Sequence, residues 1–174
     1  DDNSIPGITE WKYIFTPGHA PGHISLFRGR DKVLISGDAL VTTKAESLLC
    51  TLTSMKHLSG PPKYFTYNWA LAKLSVLKLA ALDPEIIASG HGSPMRGAEM
   101  RNHLGVLARD FDDVAVPDQG RYVEEPAATD ETGVVFIPQS KETIPTSIKL
   151  IAASAVIISI GFLIFNQAKK QFQV

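Results

Sequence analysis

The chain reads as a layered α/β fold, and three features of its 174 residues carry that reading. Short apolar strand-like segments alternate with amphipathic, helix-compatible ones, the pattern of helices packed on a sheet. His and Asp residues flanked by glycine follow directly on the strand-like segments, where a sheet rim presents functional side chains. The composition then changes twice toward the end, so residues 1 to 116 read as the globular domain, 117–148 as a polar linker and 149–168 as an apolar span.

Taken in order, Trp11–Phe15 and His23–Phe27 are rich in aromatic and β-branched residues and predict strands. Arg28-Gly29-Arg30-Asp31 supplies a turn, and Val33-Leu34-Ile35, wholly apolar, predicts a short buried strand. Lys44–Leu58 is helix-compatible and stops at Gly60-Pro61-Pro62. Asn68 predicts an N-cap for a helix reaching Leu82, with Lys73, Ser75 and Lys78 on one side and Leu71, Leu74, Leu77 and Leu82 in the apolar surface. Asp83-Pro84 ends that helix, and Glu85–Ser89 predicts the next strand. Met100, Leu104, Leu107 and Phe111 recur at i, i+4, i+7 and i+11, which predicts a helix with one buried stripe. In the linker, Val134–Ile137 suits one short strand.

The charge balance, 17 Lys+Arg against 18 Asp+Glu, gives no electrostatic footprint for nucleic acid. The single cysteine, Cys50, excludes an internal disulfide framework and a Cys-rich zinc module, and reads as a small core residue. The chain opens on Asp1-Asp2-Asn3 without Met or a signal-peptide pattern, so a truncated or processed product is expected. Near the other end, Leu150–Phe165 runs sixteen residues without a charge, about 24 Å of helix. Lys149, Lys169 and Lys170 can snorkel to lengthen it toward a membrane's hydrocarbon thickness of about 30 Å. We therefore expect a single-pass anchor over 149–168, a basic tail over 169–174 and a catalytic domain on the cytoplasmic side.

Chemistry concentrates after the strands. The first is followed by Thr16-Pro17-Gly18-His19-Ala20-Pro21-Gly22-His23, the third by Ser36-Gly37-Asp38, and Glu85–Ser89 by Gly90-His91-Gly92. In each case a strand stops, a glycine permits a tight approach, and a His or Asp is presented at the rim. Imidazole nitrogen and carboxylate oxygen are the ligands that zinc-like ions favour.

The string T-P-G-H-A-P-G-H, then G-D, then G-H-G resembles the metallo-β-lactamase superfamily over roughly residues 10 to 110, closest to its glyoxalase II and lactonase branch. The resemblance implies an αββα sandwich of which this chain supplies the second half. It also implies that His19 binds the first of two metal ions, that Asp38 bridges both, and that His91 binds the second. His23 is implied to support these ligands by hydrogen bonding rather than to bind metal. The family's upstream signature, His-x-His-x-Asp-His, is absent from this sequence, so three of the seven expected protein ligands are present. The cofactor implied is a pair of divalent ions, zinc first, with iron or manganese as alternatives. Such a pair, about 3.5–4 Å apart, would give hydroxide near neutral pH for the hydrolysis of an ester, thioester, lactone or amide.

The remaining candidates are weighed against plainer roles. Tyr64, Phe65, Tyr67 and Trp69 either wall a pocket for a small-molecule substrate or anchor a loop on the core. His57 and His103 sit among charged residues on helix-compatible segments and are expected at a solvated surface. Two other functions stay open: an iron-dependent oxidoreductase on the same fold, and a catalytically incomplete membrane-tethered fragment with a structural role. In either hydrolase or fragment form, the expected partner is the amino-terminal half of the domain.

Overall fold

A computed structural model of the chain describes residues 3–43 and 57–139. All but the last two residues of the helix expected over Lys44–Leu58, Cys50, the apolar span over 149–168 and the basic tail lie outside the described residues. Among the described residues no helix is long and apolar enough to cross a membrane.

Five strands form one mixed sheet in the order β1 (Trp11–Phe15), β2 (Ile24–Arg28), β3 (Val33–Ile35), β4 (Ile86–Ala88), β5 (Met95–Arg96). β1 and β2 pair antiparallel, as do β2 and β3, while β3 and β4 are parallel. β1, β3 and β4 therefore all run in one direction and end at the same rim. The loops that carry His19, Asp38 and His91 leave the sheet from that rim.

One face of the sheet holds the core. Leu34, Ile87 and Met95 are fully buried, with Ile14 and Phe27 packed beside them. Three helices cover this face: α1 (Trp69–Ala80), α2 (Gly97–Arg109) and the short α3 (Phe111–Val114). The predicted stripe is borne out, since Met100, Leu104, Leu107 and Phe111 are all buried, although Phe111 begins α3 instead of ending α2. Each such side chain contributes about 1.5–3 kcal/mol on transfer from water.

The helix after Asn68 forms as its cap predicts, with the Asn68 side chain accepting from Leu71 N–H at 2.9 Å. Its orientation differs from the expectation. The buried residues are Trp69, Ala72, Ser75, Val76 and Leu79, whereas Leu74 is 60% exposed and Leu77 41%. The cause is local: α1 lies against the loop after β1, where only small Ala72 fits against Gly18, and Ser75 donates to the Pro17 carbonyl at 2.7 Å. β3 also departs from expectation, because only Leu34 is buried and Ile35 faces outward on the side of the sheet away from the described helices.

The domain does not stop at residue 116. Ala127 is buried, its N–H donates to the Tyr67 carbonyl at 3.2 Å, and Val123 packs on the core, so the compact unit extends to Ser140. Within the stretch read as linker, β6 (Ala128–Asp130) and β7 (Gly133–Phe136) form a hairpin. Its turn is stabilised by the Asp130 carboxylate, which accepts from the N–H and hydroxyl of Thr132, while Gly133 takes φ +123°.

Candidate metal centre

The loop between β1 and β2 is clamped from below. The Gly18 carbonyl accepts from the N–H groups of Tyr67 and Asn68, both at 3.1 Å, and Thr16 N–H donates to the His23 carbonyl at 2.9 Å. Gly18 has φ +134° and a side chain there would strike the backbone of Ala72, so glycine is required. His19 is thereby set at the rim with little freedom of its backbone.

Asp38 stands on the turn after β3. Gly37 precedes it at φ +56°, and Gly90 N–H donates to the Gly37 carbonyl at 3.1 Å, tying the β3 and β4 loops together. The His91 carbonyl accepts from Thr42 N–H at 3.0 Å and from the Ser89 hydroxyl at 2.7 Å, which fixes the third loop.

The three predicted ligands meet. Asp38 Oδ2 lies 3.5 Å from His19 Nε2 and 3.6 Å from His91 Nε2. These separations exceed a hydrogen bond but match the edge of a coordination tetrahedron, about 3.4 Å for bonds of 2.0–2.1 Å. Burial lowers the His19 pKa, with Asp38 opposing, so the ring favours the neutral form whose lone pair can bind an ion. His19 Nδ1 is buried without a hydrogen-bond partner among the described residues. Each His–Asp38 pair thus has donor chemistry and spacing that suit a divalent ion. Among the described residues, no group of three or more His, Cys, Asp or Glu side chains is placed to hold an ion by itself.

His23 stands apart from these pairs. Its Nε2 accepts from the Asp38 backbone N–H at 3.0 Å, and its Nδ1 lies 2.9 Å from Thr16 Oγ1. Burial lowers its pKa as well.

A cavity of about 720 Å³ opens beside the cluster, with His19, Asp38 and His91 in its wall. Leu58, Pro61, Val106, Leu107 and Ala115 make much of it apolar. The expectation for His57 and His103 is corrected here: both line this cavity, half-buried, with ring centroids 5.0 Å apart. Sequence reasoning missed them because they meet only through the fold, 46 positions apart in the chain (103 − 57). The aromatic cluster divides. Tyr64 and Phe65 line the cavity and are largely exposed, Tyr67 is outside its lining, and Trp69 is buried against Phe111 at 6.4 Å.

The sequence pattern of the Metallo-beta-lactamase superfamily matches residues 1–91, just over half of the 174. The chain belongs to the metallo-beta-lactamase superfamily. Within it, the chain is 48% identical over 108 residues to the probable metallo-hydrolase YflN of Bacillus subtilis strain 168, covering 62% of this chain and 41% of that protein. It is 28% identical over 95 residues to the probable metallo-hydrolase YqjP of the same organism, covering 55% of this chain and 28% of that one. The chain thus spans less than half the length of these superfamily relatives. Among solved structures, the metallo-beta-lactamase family protein TTHA1429 from Thermus thermophilus aligns at 23% identity and TM-score 0.43, over 64% of this chain and 34% of that one.

Proposed function

We propose that the complete protein is a metal-dependent hydrolase of an ester, thioester, lactone or amide bond, and that His19, Asp38 and His91 are its contribution to a dinuclear centre. The observation that carries this reading is the convergence of both imidazole Nε2 atoms on one oxygen of Asp38, at the mouth of a cavity. Divalent ions held there would supply an acidified water and an electrophile for the substrate carbonyl.

The chain's own residues do the rest. Neutral His19 and the Asp38 carboxylate offer lone pairs at a fixed separation, set by three loops bonded to one another at the rim. The cavity's apolar wall excludes water from a bound acyl group, and Tyr64 and Phe65 stand at its lining to contact the substrate. His57 and His103 place polar ring atoms in a largely apolar wall, where they orient the substrate.

The test is a metal and activity assay of the chain joined to its upstream half. Zinc retained after dialysis, with hydrolysis of a generic ester or thioester that Asp38→Ala abolishes, is the expected result. Iron with oxygen consumption and no hydrolysis would replace the hydrolase reading with the oxidoreductase one.

A further inference from the structure

The turn Ser36-Gly37-Asp38 is held at both ends by one chain of hydrogen bonds, part-buried at His23 and buried from Thr16 to Ser36. Asp38 N–H is 3.0 Å from His23 Nε2. His23 Nδ1 is 2.9 Å from Thr16 Oγ1, Thr16 Oγ1 is 3.0 Å from Ser25 Oγ, and Ser25 Oγ is 3.0 Å from the Ser36 carbonyl. The chain leaves the turn at Asp38 and returns to it two residues earlier.

Every proton in this chain has one place to go. A backbone N–H can only donate, so His23 Nε2 accepts and carries no proton. The neutral ring then bears its proton on Nδ1 and donates to Thr16 Oγ1. Ser25 spends its hydroxyl proton on the Ser36 carbonyl, which can only accept, so Thr16 donates to Ser25. Thr16, Ser25 and Ser36 have no exposed surface, so the Thr16–Ser25 and Ser25–Ser36 bonds are shielded from water. Gly37 admits the ring: a Cβ there would lie 2.6 Å from His23 Nε2.

We propose that Thr16 and Ser25 are positioning residues that lock His23 in the Nδ1–H tautomer, so that its Nε2 holds the Asp38 backbone and aims the Asp38 carboxylate at His19 and His91. The tautomer lock is independent of the hydrolase reading; its consequence for metal binding rests on that reading. The placement of Thr16, His23 and Ser25 around the histidine and aspartate motifs then has one physical cause. Each is a link between the β1, β2 and β3 rims. Losing any link frees the ring to take the other tautomer, which would present an N–H to the Asp38 N–H and repel it.

Side-chain nitrogen spectra of the ¹⁵N-labelled full chain test the lock. The expected result is a protonated Nδ1 on His23 and a scalar coupling across the hydrogen bond between the Asp38 amide nitrogen and His23 Nε2. Thr16→Val removes the hydroxyl at constant shape; the coupling should vanish and the Asp38 amide should exchange with solvent at least tenfold faster. Thr16→Ser should restore both. A wild-type His23 protonated on Nε2, or a Thr16→Val chain with the coupling intact, overturns the proposal, and the wild-type spectrum decides even if the valine variant fails to fold. With the upstream half supplied, Thr16→Val should weaken zinc affinity about 10–100-fold. Equal affinities would overturn the positioning role. A wild type that shows the coupling and binds no zinc would support the lock and overturn the hydrolase reading.

Discussion

The Asp38 carboxylate occupies the space that a side chain at Gly90 would need: a Cβ built there collides with Asp38 Oδ1. Gly90 has no left-handed backbone that demands glycine, so its role is this close approach. Gly90→Ala should therefore leave the fold nearly intact and push the carboxylate off its line to His19 and His91. In the chain joined to its upstream half, we expect zinc affinity to fall about 10–100-fold, as for lost support of a ligand, with a melting temperature within a few degrees of wild type. Zinc titration beside thermal melts checks this, and undiminished affinity would show that the carboxylate has room to move.

Gly37→Ala should behave differently. At φ +56° an alanine costs about 1–2 kcal/mol in the backbone, and its Cβ also meets the His23 ring. Stability and metal affinity should both fall, and denaturant melts of the two glycine variants side by side should separate the effects.

Removing Asp38 should matter more than removing His23. Both imidazoles converge on the Asp38 carboxylate, whereas His23 touches only the Asp38 backbone. In the reassembled enzyme Asp38→Ala should abolish activity, and His23→Ala should reduce it about 10–100-fold. Equal loss of bound metal in both would place His23 among the ligands.

The cavity gives a prediction of opposite pattern. His57 and His103 line it from outside the three loops that carry His19, Asp38 and His91, so changing them should spare the ions and affect substrate. His103→Ala should leave zinc stoichiometry unchanged and raise KM about 2–10-fold, the loss of one ordinary hydrogen bond. Steady-state kinetics with metal analysis of the same samples decides.

Legibility in the sequence followed the range of the interactions. His19, Asp38 and His91 could be read because each sits beside glycine directly after a strand, and strand ends are local features. That their strands run parallel, which brings them together, came only from the pairing of β3 with β4 across the intervening α1. The face of α1 misleads because Lys73, Ser75 and Lys78 read as its polar side, whereas Ser75 is buried on the Pro17 carbonyl and Ala72 packs against Gly18. Of the β6–β7 hairpin, the apolar run Val134–Ile137 gave away β7, whereas β6 hid in a polar stretch because pairing and turn chemistry form it.

Among the described residues, no helix packs on the second face of the sheet. Strand alternation and register put Trp11, Tyr13, Phe15, Ile24, Leu26, Val33 and Ile35 on the side away from the helices. Tyr13, Phe15, Ile24 and Ile35 are exposed, a contiguous apolar group of the kind that soluble monomers rarely leave open. The curated relatives are more than twice as long as the matched region, and we propose that the amino-terminal half of the domain covers this face and completes the metal site. A catalytic zinc needs about three protein ligands, and in the proposed dinuclear centre His19, Asp38 and His91 would be shared between two ions, so neither would be adequately held by this chain alone. The 174-residue chain by itself should bind a hydrophobic dye, self-associate and lose zinc on dialysis. Adding the upstream half, in cis or as a separate fragment, should suppress dye binding and restore zinc and hydrolysis together. Phe15→Lys with Ile24→Lys should block that rescue while leaving helix content unchanged by circular dichroism. Stoichiometric zinc and turnover in the isolated chain would refute the half-site reading, and rescue that survives both lysines would place the partner surface elsewhere.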